Sequence, residues 1–296
     1  MILEIDCIPC ILDDVRGAVE LLTDDEKVKF KVMKQCLEFL SDGIDQRKEP
    51  SKYITEAHRI VKKVCGIEIP FAQKRRMCNQ LGLDLEKKIE PILESTDKYE
   101  AFLLLVRWSI AGNSLDFRTV GTGYDFDIDS IHKELISLVD SLDIDQTEQI
   151  YDMVRSADTI LFVHDNVGEI VLDKLLIRHI KRLGDAKVIS AVRGGPITSD
   201  ATMDDAEQVR LSEASDSVII AGPDTLGISF DEMSEEFADR LADSDLIIAK
   251  GQANYYVFSE HKDQLECRVA CLFRTKCKLI SGLFNYPTNI NIASLI

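Results

Sequence analysis

Residues 159–169 of this chain read TILFVHDNVGE, and the predicted fold class follows from this segment. Its first part is largely apolar and β-branched, which is typical of a buried parallel strand, and it runs directly into Asp165 and Asn166, followed by Gly168. Over residues 170–180 the apolar positions recur at three- and four-residue spacing, which predicts a helix. A carboxylate and a carboxamide therefore stand where a strand gives way to a helix.

The same alternation continues towards the C-terminus. Apolar strands separated by amphipathic helical segments are predicted at Thr159–His164, Lys187–Val192, Ser217–Ala221 and Asp245–Ala249. Their starts are separated by about the length of a βαβ unit, so we expect a parallel sheet with right-handed crossovers. Two more strands are predicted at Arg268–Phe273 and Asn289–Leu295, with no order or direction implied.

The N-terminal part has helical periodicity only. Helices are predicted at Ile11–Leu22, Glu26–Phe39, Tyr53–Val64, Ala72–Leu81 and Tyr99–Ala111, the last with Gly112 as its C-terminal cap. An acidic stretch, residues 121–149, is interpreted as an extended connector followed by a helix at Ile131–Leu142. The fold class is therefore α/β, with a helical domain over residues 1–118 and an α/β domain over residues 119–296.

Composition limits the classes of function. The chain has 296 residues, and its 35 Lys and Arg against 52 Asp and Glu give a net charge of -17, so general attraction to nucleic acid or an anionic membrane is not expected. The acids within the N-terminal apolar run argue against a signal peptide, and no uncharged run is long enough to span a membrane. We expect a cytoplasmic protein whose eight cysteines are reduced thiols.

Polar residues follow each predicted strand. These are Asp165 and Asn166, then Arg193, Gly194 and Gly195 leading to Asp200, then Gly222-Pro223-Asp224, and finally Lys250, Gly251, Gln252 and Asn254. In a parallel sheet the loops after the strands open on one edge, where ligands bind. Asp165, Asn166 and Asp200 offer hard oxygen donors for a divalent cation, while Lys250 and the backbone N–H groups of Gly194 and Gly195 suit a phosphate.

Each of these residues has a simpler interpretation. Asp165 and Asp200 are equally compatible with helix N-caps, the Gly pair with a turn, and Lys250 with a solvated side chain. His164 fits a hydrogen-bonded core residue better than a base. Neither GxGxxG nor a Walker A sequence occurs, so the motifs of dinucleotide and P-loop sites give no support.

Two further motifs stand apart from the strands. Asn113 and Asp116 lie in a GNSLDF segment after an apolar helix, where they either terminate that helix or close over the cleft. Cys7 and Cys10 form one CxxC, which as a zinc half-site needs two more ligands, with Cys36, Cys78 or a His as candidates. A local structural or metal-clip role is favoured over a redox role for this pair.

Taken together, the segments HDNVGE, RGGPITSDAT, KGQANY, GNSLDF, CIPC and RTKC resemble the metal-dependent damage-control phosphatases, once catalogued only as a domain of unknown function, and in particular their archaeal CxxC-bearing branch. The resemblance covers nearly the whole chain. It implies a helical N-terminal domain packed on a Rossmann-like three-layer α/β/α domain with a mainly parallel sheet. It also implies a phosphatase that uses Mn²⁺, Co²⁺, Ni²⁺ or Mg²⁺ on small phosphorylated metabolites.

The resemblance assigns roles to particular residues. It implies metal ligation by Asp165, Asn166 and Asp200, and it matches the family's lysine to Lys250 and other motif positions to Asn254, Asn113 and Asp116. The chain departs from the family pattern at Ala253, where Gly is common, and at Ser199, where Asn is common. Both departures affect substrate contacts more than the metal ligands.

The leading hypothesis is a metal-dependent phosphomonoesterase acting on sugar phosphates or damaged phospho-metabolites. Asp165, Asn166 and Lys250 would be catalytic, and Asn113, Asp116, Arg193, Gly194, Gly195 and Asn254 would bind the substrate. Attack by water and attack by the Asp165 carboxylate both remain open. The alternatives are a non-catalytic sensor of a phosphate ligand or nucleotide and, third, a CxxC zinc or redox protein. The physiological substrate, the preferred metal and the oligomeric state are left open.

Overall fold

A computed structural model describes residues 3–117, 135–140 and 142–296. The N-terminal helices are α1 Cys7–Leu22, α2 Glu26–Gly43, α3 Pro50–Cys65, α4 Ala72–Leu93 and α5 Lys98–Ala111, followed by a 3-10 helix at Gly112–Leu115. The predicted connector and most of the predicted helix at Ile131–Leu142 lie outside the described residues, although residues 135–138 are helical.

Strands and helices alternate through the rest of the chain, as the spacing predicts. The elements are β1 Ile144–Asp145, α6 Thr147–Ser156, β2 Thr159–Val163, α7 Glu169–Leu183, β3 Lys187–Val192, α8 Met203–Gln208, β4 Ser217–Ile220, α9 Glu235–Asp243, β5 Leu246–Lys250, α10 Gly251–Glu260, β6 Arg268–Arg274, α11 Lys278–Leu283 and β7 Asn291–Leu295. The six predicted strands agree with β2 to β7 to within two residues at each end, whereas β1 and α6 were not predicted.

The strands form one sheet in the order β1-β7-β6-β5-β2-β3-β4. Its described pairings are parallel except that of β6 with β7, which is antiparallel. Strands β5, β2 and β3 are adjacent, so the loops that follow them emerge side by side at one edge. This is the arrangement expected of a ligand-binding edge in an open α/β sheet.

Both faces of the sheet are covered by helices. Along β2, Ile160 and Phe162 point into a core shared with α4, α5 and α7, whereas Leu161 and Val163 point into a second core shared with α9 and α10. The alternation follows from the two-residue period of a strand. The result is a three-layer α/β/α arrangement, which confirms the predicted fold class.

Helices α1, α2 and α3 bury a core of their own, which includes Val15, Cys36 and Val61. Helices α4 and α5 instead share the core of one sheet face. The boundary at residue 118 remains a prediction, and by packing the change of core falls between α3 and α4. No helix in the described part of the chain combines the length and apolarity needed to cross a membrane.

Two glycines lie where the predicted helix ends are wrong. Helix α4 does not end before Gly82 but continues to Leu93. Gly82 is required there by close packing, since a Cβ would come within 2.6 Å of the Gly168 carbonyl oxygen. Gly112 does not form a left-handed cap: its φ is -54° and the chain continues as a 3-10 helix. A Cβ at Gly112 would crowd Leu172 and Glu169, so close packing on α7 is the reason for this glycine.

Candidate active site

The loops after β2 and β3 are joined by their backbones. Asn166 and Asp200 form an isolated antiparallel bridge, and Ala201 N donates to the Asp165 carbonyl oxygen at 2.7 Å. Neither aspartate caps a helix, because α7 begins after Gly168 and α8 has Thr202 as its N-cap. The capping interpretation is thereby removed for both residues. The two acids are instead held together at the edge of the sheet.

Asp165 is packed against the start of α10. Gly251 has a φ of +81°, and a Cβ there would overlap the Asp165 carboxylate. The backbone of α10 thus approaches the acid more closely than any side chain would allow. Asp165 is only 5% exposed, and burial, reinforced by the charges of Glu169 and Asp200, raises the pKa of its carboxyl group well above the usual range. The ionised form of such a buried carboxyl group is stable only where a positive charge or hydrogen-bond donors compensate it.

The amide of Asn166 has a defined orientation. Its Nδ2 donates to Asp165 Oδ2 at 2.8 Å and to Glu169 Oε2 at 3.1 Å, while its Oδ1 accepts from Ser199 Oγ at 2.8 Å. Both hydrogens of the amide nitrogen therefore face carboxylates. The oxygen faces a single hydroxyl and retains a lone pair for another partner.

A buried ion pair supports this amide from behind. Lys250 Nζ donates to Glu169 Oε1 at 2.7 Å and to the Ser109 carbonyl oxygen at 2.8 Å, and it lies 3.5 Å from Asp173 Oδ1. Burial acts to lower the pKa of Lys250, but Asp173 and Glu169 outweigh it and the pKa is raised, so the ammonium remains charged. Asn113 Nδ2 also donates to Glu169. Glu169 therefore links Lys250 and Asn113 to Asn166.

Arg193 and Asn254 form a second buried polar cluster next to Asp200. Arg193 Nη2 donates to Asn254 Oδ1 at 3.1 Å, and Arg193 Nε lies 3.5 Å from Asp200 Oδ1. Arg193 Nε and Nη1 are buried, and no described residue accepts a hydrogen bond from either; burial lowers the pKa of the guanidinium. Asn254 in turn donates to the Lys250 carbonyl oxygen at 2.7 Å. The positive charge of Arg193 offsets part of the negative charge of Asp165 and Asp200.

A cavity of about 390 Å³ opens above Asp165 and Asn166. Asp116 and Lys276 also line it, and their side chains form an ion pair. The remaining lining comes from the loop after β4, from α10, from α11 and the loop after it, and from α1 and α3, including Cys7 and Cys10. This size is within the range of small-molecule sites.

A family model described as the damage-control phosphatase ARMT1-like domain matches residues 4–290. The chain belongs to this family. It is similar to the Archaeoglobus fulgidus protein named damage-control phosphatase, with 30% identity over 93% of this chain and 92% of that one. It is 31% identical to the protein MJ0202 of Methanocaldococcus jannaschii, over 97% of this chain and 93% of that one.

A solved structure of the same family has the same fold. The crystal structure of the DUF89 family protein PH1575 from Pyrococcus horikoshii superposes with a TM-score of 0.88 at 26% identity, covering 99% of this chain and 98% of that one. The Pyrococcus protein is named damage-control phosphatase PH1575, and its sequence is 28% identical over 97% of this chain and 96% of that one. The resemblance to the damage-control phosphatases is thus confirmed, while the CxxC-bearing branch remains a prediction.

In this damage-control phosphatase fold, the predicted site residues separate into two groups. Asp165, Asn166 and Asp116 line the cavity. The other group is buried around the cavity but is not part of its described lining. It consists of Asn113, Arg193, Asp200, Lys250 and Asn254. Within this second group, Asp200 is joined to Asn166 by the isolated bridge and so lies directly beside the lining.

Gly194 and Gly195 are not brought to the cavity. They line a separate open groove with Gly222 and Asp224, and Gly194 N already donates to the Gly222 carbonyl oxygen at 2.8 Å. A Cβ at Gly194 would come within 2.6 Å of the same oxygen. Close packing of two loops thus accounts for this glycine, and its backbone N–H is not directed at a phosphate.

Several residues of the site have only weak signals in the sequence. Glu169 within HDNVGE has the clearest one, because it is an acid at the first position of a helix after the DN pair. Lys276 had only the RTKC segment to mark it, and Gly251 only its place after Lys250. His164 is bonded at both ring nitrogens, to Asp173 and Ser190 at 3.0 Å each, as expected of a core histidine.

Proposed function

We propose that this protein is a metal-dependent phosphatase that hydrolyses small phosphorylated metabolites. The observation that carries the proposal is the cavity floor, where the buried Asp165, the oriented Asn166 and Lys276 line one space large enough for such a substrate. Its relatives from Archaeoglobus and Pyrococcus are named damage-control phosphatases, which supports the same class of reaction.

The donor set fits a divalent cation such as Mg²⁺ or Mn²⁺. Among the described residues no group of three or more His, Cys, Asp and Glu side chains is placed to hold a metal ion, so ligation would combine the carboxylates of Asp165 and Asp200 with the Asn166 amide oxygen and water. Mg²⁺ typically binds proteins through one or two carboxylates and keeps several waters. When bound, the cation would neutralise phosphoryl oxygens and orient the attack.

Two lysines have different roles in this proposed site, one in phosphate binding and one in positioning. Lys276, whose side chain is 21% exposed and lines the cavity, would bind the phosphate, with Asp116 holding its ammonium in place. Lys250 and Glu169 are positioning residues, because they fix the Asn166 amide and do not line the cavity. Lys276, and not Lys250 as predicted, would therefore contact the phosphate.

The test is release of inorganic phosphate from a panel of phosphate esters. The purified protein is stripped with a chelator and supplied with Mn²⁺, Co²⁺, Ni²⁺ or Mg²⁺ in turn. We expect metal-dependent release that falls by at least about 100-fold in Asp165→Ala, since that change removes a ligand and the acid beside the reacting group. The exposed Asp84→Asn is the matched control and retains wild-type rates.

Two results would contradict the proposal. A folded protein that binds phosphate compounds but hydrolyses no ester with any of these metals would be a sensor of phosphate ligands. Full activity in Asp165→Ala would remove this residue from the proposed site.

A further inference from the structure

The cavity has two kinds of surface. Its floor is charged, with Asp165, Asn166, Asp116 and Lys276 close together. Its other charged lining residues, Asp6 and Lys278, are solvent-exposed and so lie at its mouth. The part between floor and mouth is formed by other residues.

That intermediate wall is largely hydrocarbon. Ile11 of α1, Leu226 and Tyr256 are 1%, 9% and 4% exposed, and Pro50 is also buried. The half-buried Ile54 of α3 and Leu279 of α11 complete it. The wall thus joins the N-terminal helices to the C-terminal part of the chain.

Gln252, the second amide side chain of the cavity lining besides Asn166, is hydrogen-bonded to protein groups at both its oxygen and its nitrogen. Gln252 Oε1 accepts from Lys276 N at 2.7 Å, and Gln252 Nε2 donates to Cys277 Sγ at 3.6 Å. Its hydrogen-bonding capacity therefore serves the segment that carries Lys276. Away from the floor, the described lining carries hydroxyl groups only on Tyr256 and Thr288, so a ligand with many hydroxyl groups would leave most of them against apolar side chains.

Building on the proposed phosphatase function, we propose that the preferred substrates are phosphate monoesters of a mainly hydrocarbon alcohol. The phosphate would lie at the charged floor and the organic group against Ile11, Ile54, Leu226 and Leu279. Sugar phosphates would bind more weakly, because each polar group buried without a partner lowers a binding equilibrium by about tenfold. The helices α1 and α3 would in this way determine the leaving group.

The test compares the hydrolysis of two phosphate esters with the same ring size and the same position of the phosphate. Glucose 6-phosphate and cyclohexylmethyl phosphate both carry the phosphate on a primary carbon attached to a six-membered ring, and they differ mainly in the ring oxygen and hydroxyls. With Mn²⁺-loaded protein we expect kcat/KM to be at least about tenfold higher for the cyclohexylmethyl ester. Titration calorimetry with the corresponding non-hydrolysable phosphonates should show the same preference in Kd.

Variants locate the preference on the wall. Ile54→Asn, or Leu279→Asn if the first variant does not fold, should reduce the ratio of the two kcat/KM values towards one. Ile92→Asn, at an exposed position of α4, is the matched control and should leave the ratio unchanged. Circular dichroism melting confirms that each variant is folded.

The outcomes separate the two proposals. If no ester of the panel, including these two, is hydrolysed with any of the four metals but the apolar phosphonate binds more tightly, the phosphatase function fails and the apolar specificity stands. A ratio near one, a preference for the sugar compound, or no binding of either phosphonate overturns the specificity. A ratio that Ile54→Asn and Leu279→Asn leave unchanged overturns it as well.

Discussion

At the scale of single residues, the site depends on one close contact between Asp165 and Gly251. The glycine has a left-handed φ, and its missing side chain leaves the space that the carboxylate fills. The acid that faces the cavity is therefore positioned by the start of α10 as well as by its own loop.

Gly251→Ala tests this contact. The added methyl group would displace the Asp165 carboxylate, and the left-handed backbone is strained for alanine by about 1–2 kcal/mol. We expect phosphate release to fall on the order of 100-fold, since small misplacements of reacting groups have effects of that size. Gly282→Ala is the control, because a Cβ there meets no atom within 4 Å. Equal activities of the two variants would contradict the proposed role of the contact.

Glu169→Gln tests the buried ion pair with Lys250. Both side chains are fully buried, and without the Glu169 charge Lys250 keeps Asp173 at 3.5 Å as its nearest acid among the described residues, so we expect a loss of about 3 kcal/mol in the free energy of unfolding. Urea denaturation measures it. Adding Lys250→Met should restore part of the loss, because the unpaired charge is then removed. Asp84→Asn, in an exposed pair with Lys87, should change stability little, and a similar effect in both single variants would contradict the argument.

At the scale of elements, α3 is tied to the loop after β4. Lys62 Nζ lies 2.7 Å from Asp224 Oδ2, and Arg59 Nε lies 3.1 Å from Asp224 Oδ1. Lys62 also donates to the Pro196 carbonyl oxygen at 2.9 Å. These bonds hold the N-terminal helices, and with them one wall of the cavity, against the sheet edge.

The pH dependence of stability tests this link. Burial acts to raise the pKa of Asp224, but Lys62 and Arg59 outweigh it and the pKa is lowered. The stabilisation by Asp224 is therefore fully present above its ordinary value of about 3.9 and is lost as the pH falls through the lower folded value. We expect Asp224→Asn to lower the free energy of unfolding by about 1 kcal/mol at pH 7, with a difference that shrinks below about pH 4. Exposed Asp263→Asn is the control, and a difference that grows on acidification would refute the link.

At the scale of the whole molecule, metal binding should appear as stability. A ligand at 100 times its Kd stabilises the folded state by about 2.7 kcal/mol, or roughly 5 °C in Tm for a chain of this size. We expect such a shift with Mn²⁺ in the wild-type protein and none in Asp165→Asn. In chelator, Asp165→Asn should be at least as stable as wild type, because a neutral amide has no buried charge to neutralise. Melting curves by circular dichroism give both values, and an equal Mn²⁺ shift in the variant would exclude this ligand.

The local pattern was sufficient for strands β2 to β7, for most of the helices and for the edge of the sheet that carries the site, but not for β1, α6 or the second half of α4. Strand β3 has the predicted bounds, and Asp165 and Asn166 follow β2 as expected, because the two-residue and 3.6-residue periods of burial are written in neighbouring residues. Pairing of the loops after β2 and β3 follows from the parallel order of adjacent strands, which the βαβ spacing also predicts.

Tertiary packing decided which of these residues face the cavity. Gly194, Gly195 and Lys250 have the composition of a phosphate site, yet the glycines pack on the next loop and the lysine pairs with Glu169. Lys276, Cys7 and Ile54 are distant in sequence and meet Asp165 only through the fold. The direction of a side chain depends on which elements cover it, and that depends on contacts between residues far apart in the chain, for which no local period exists.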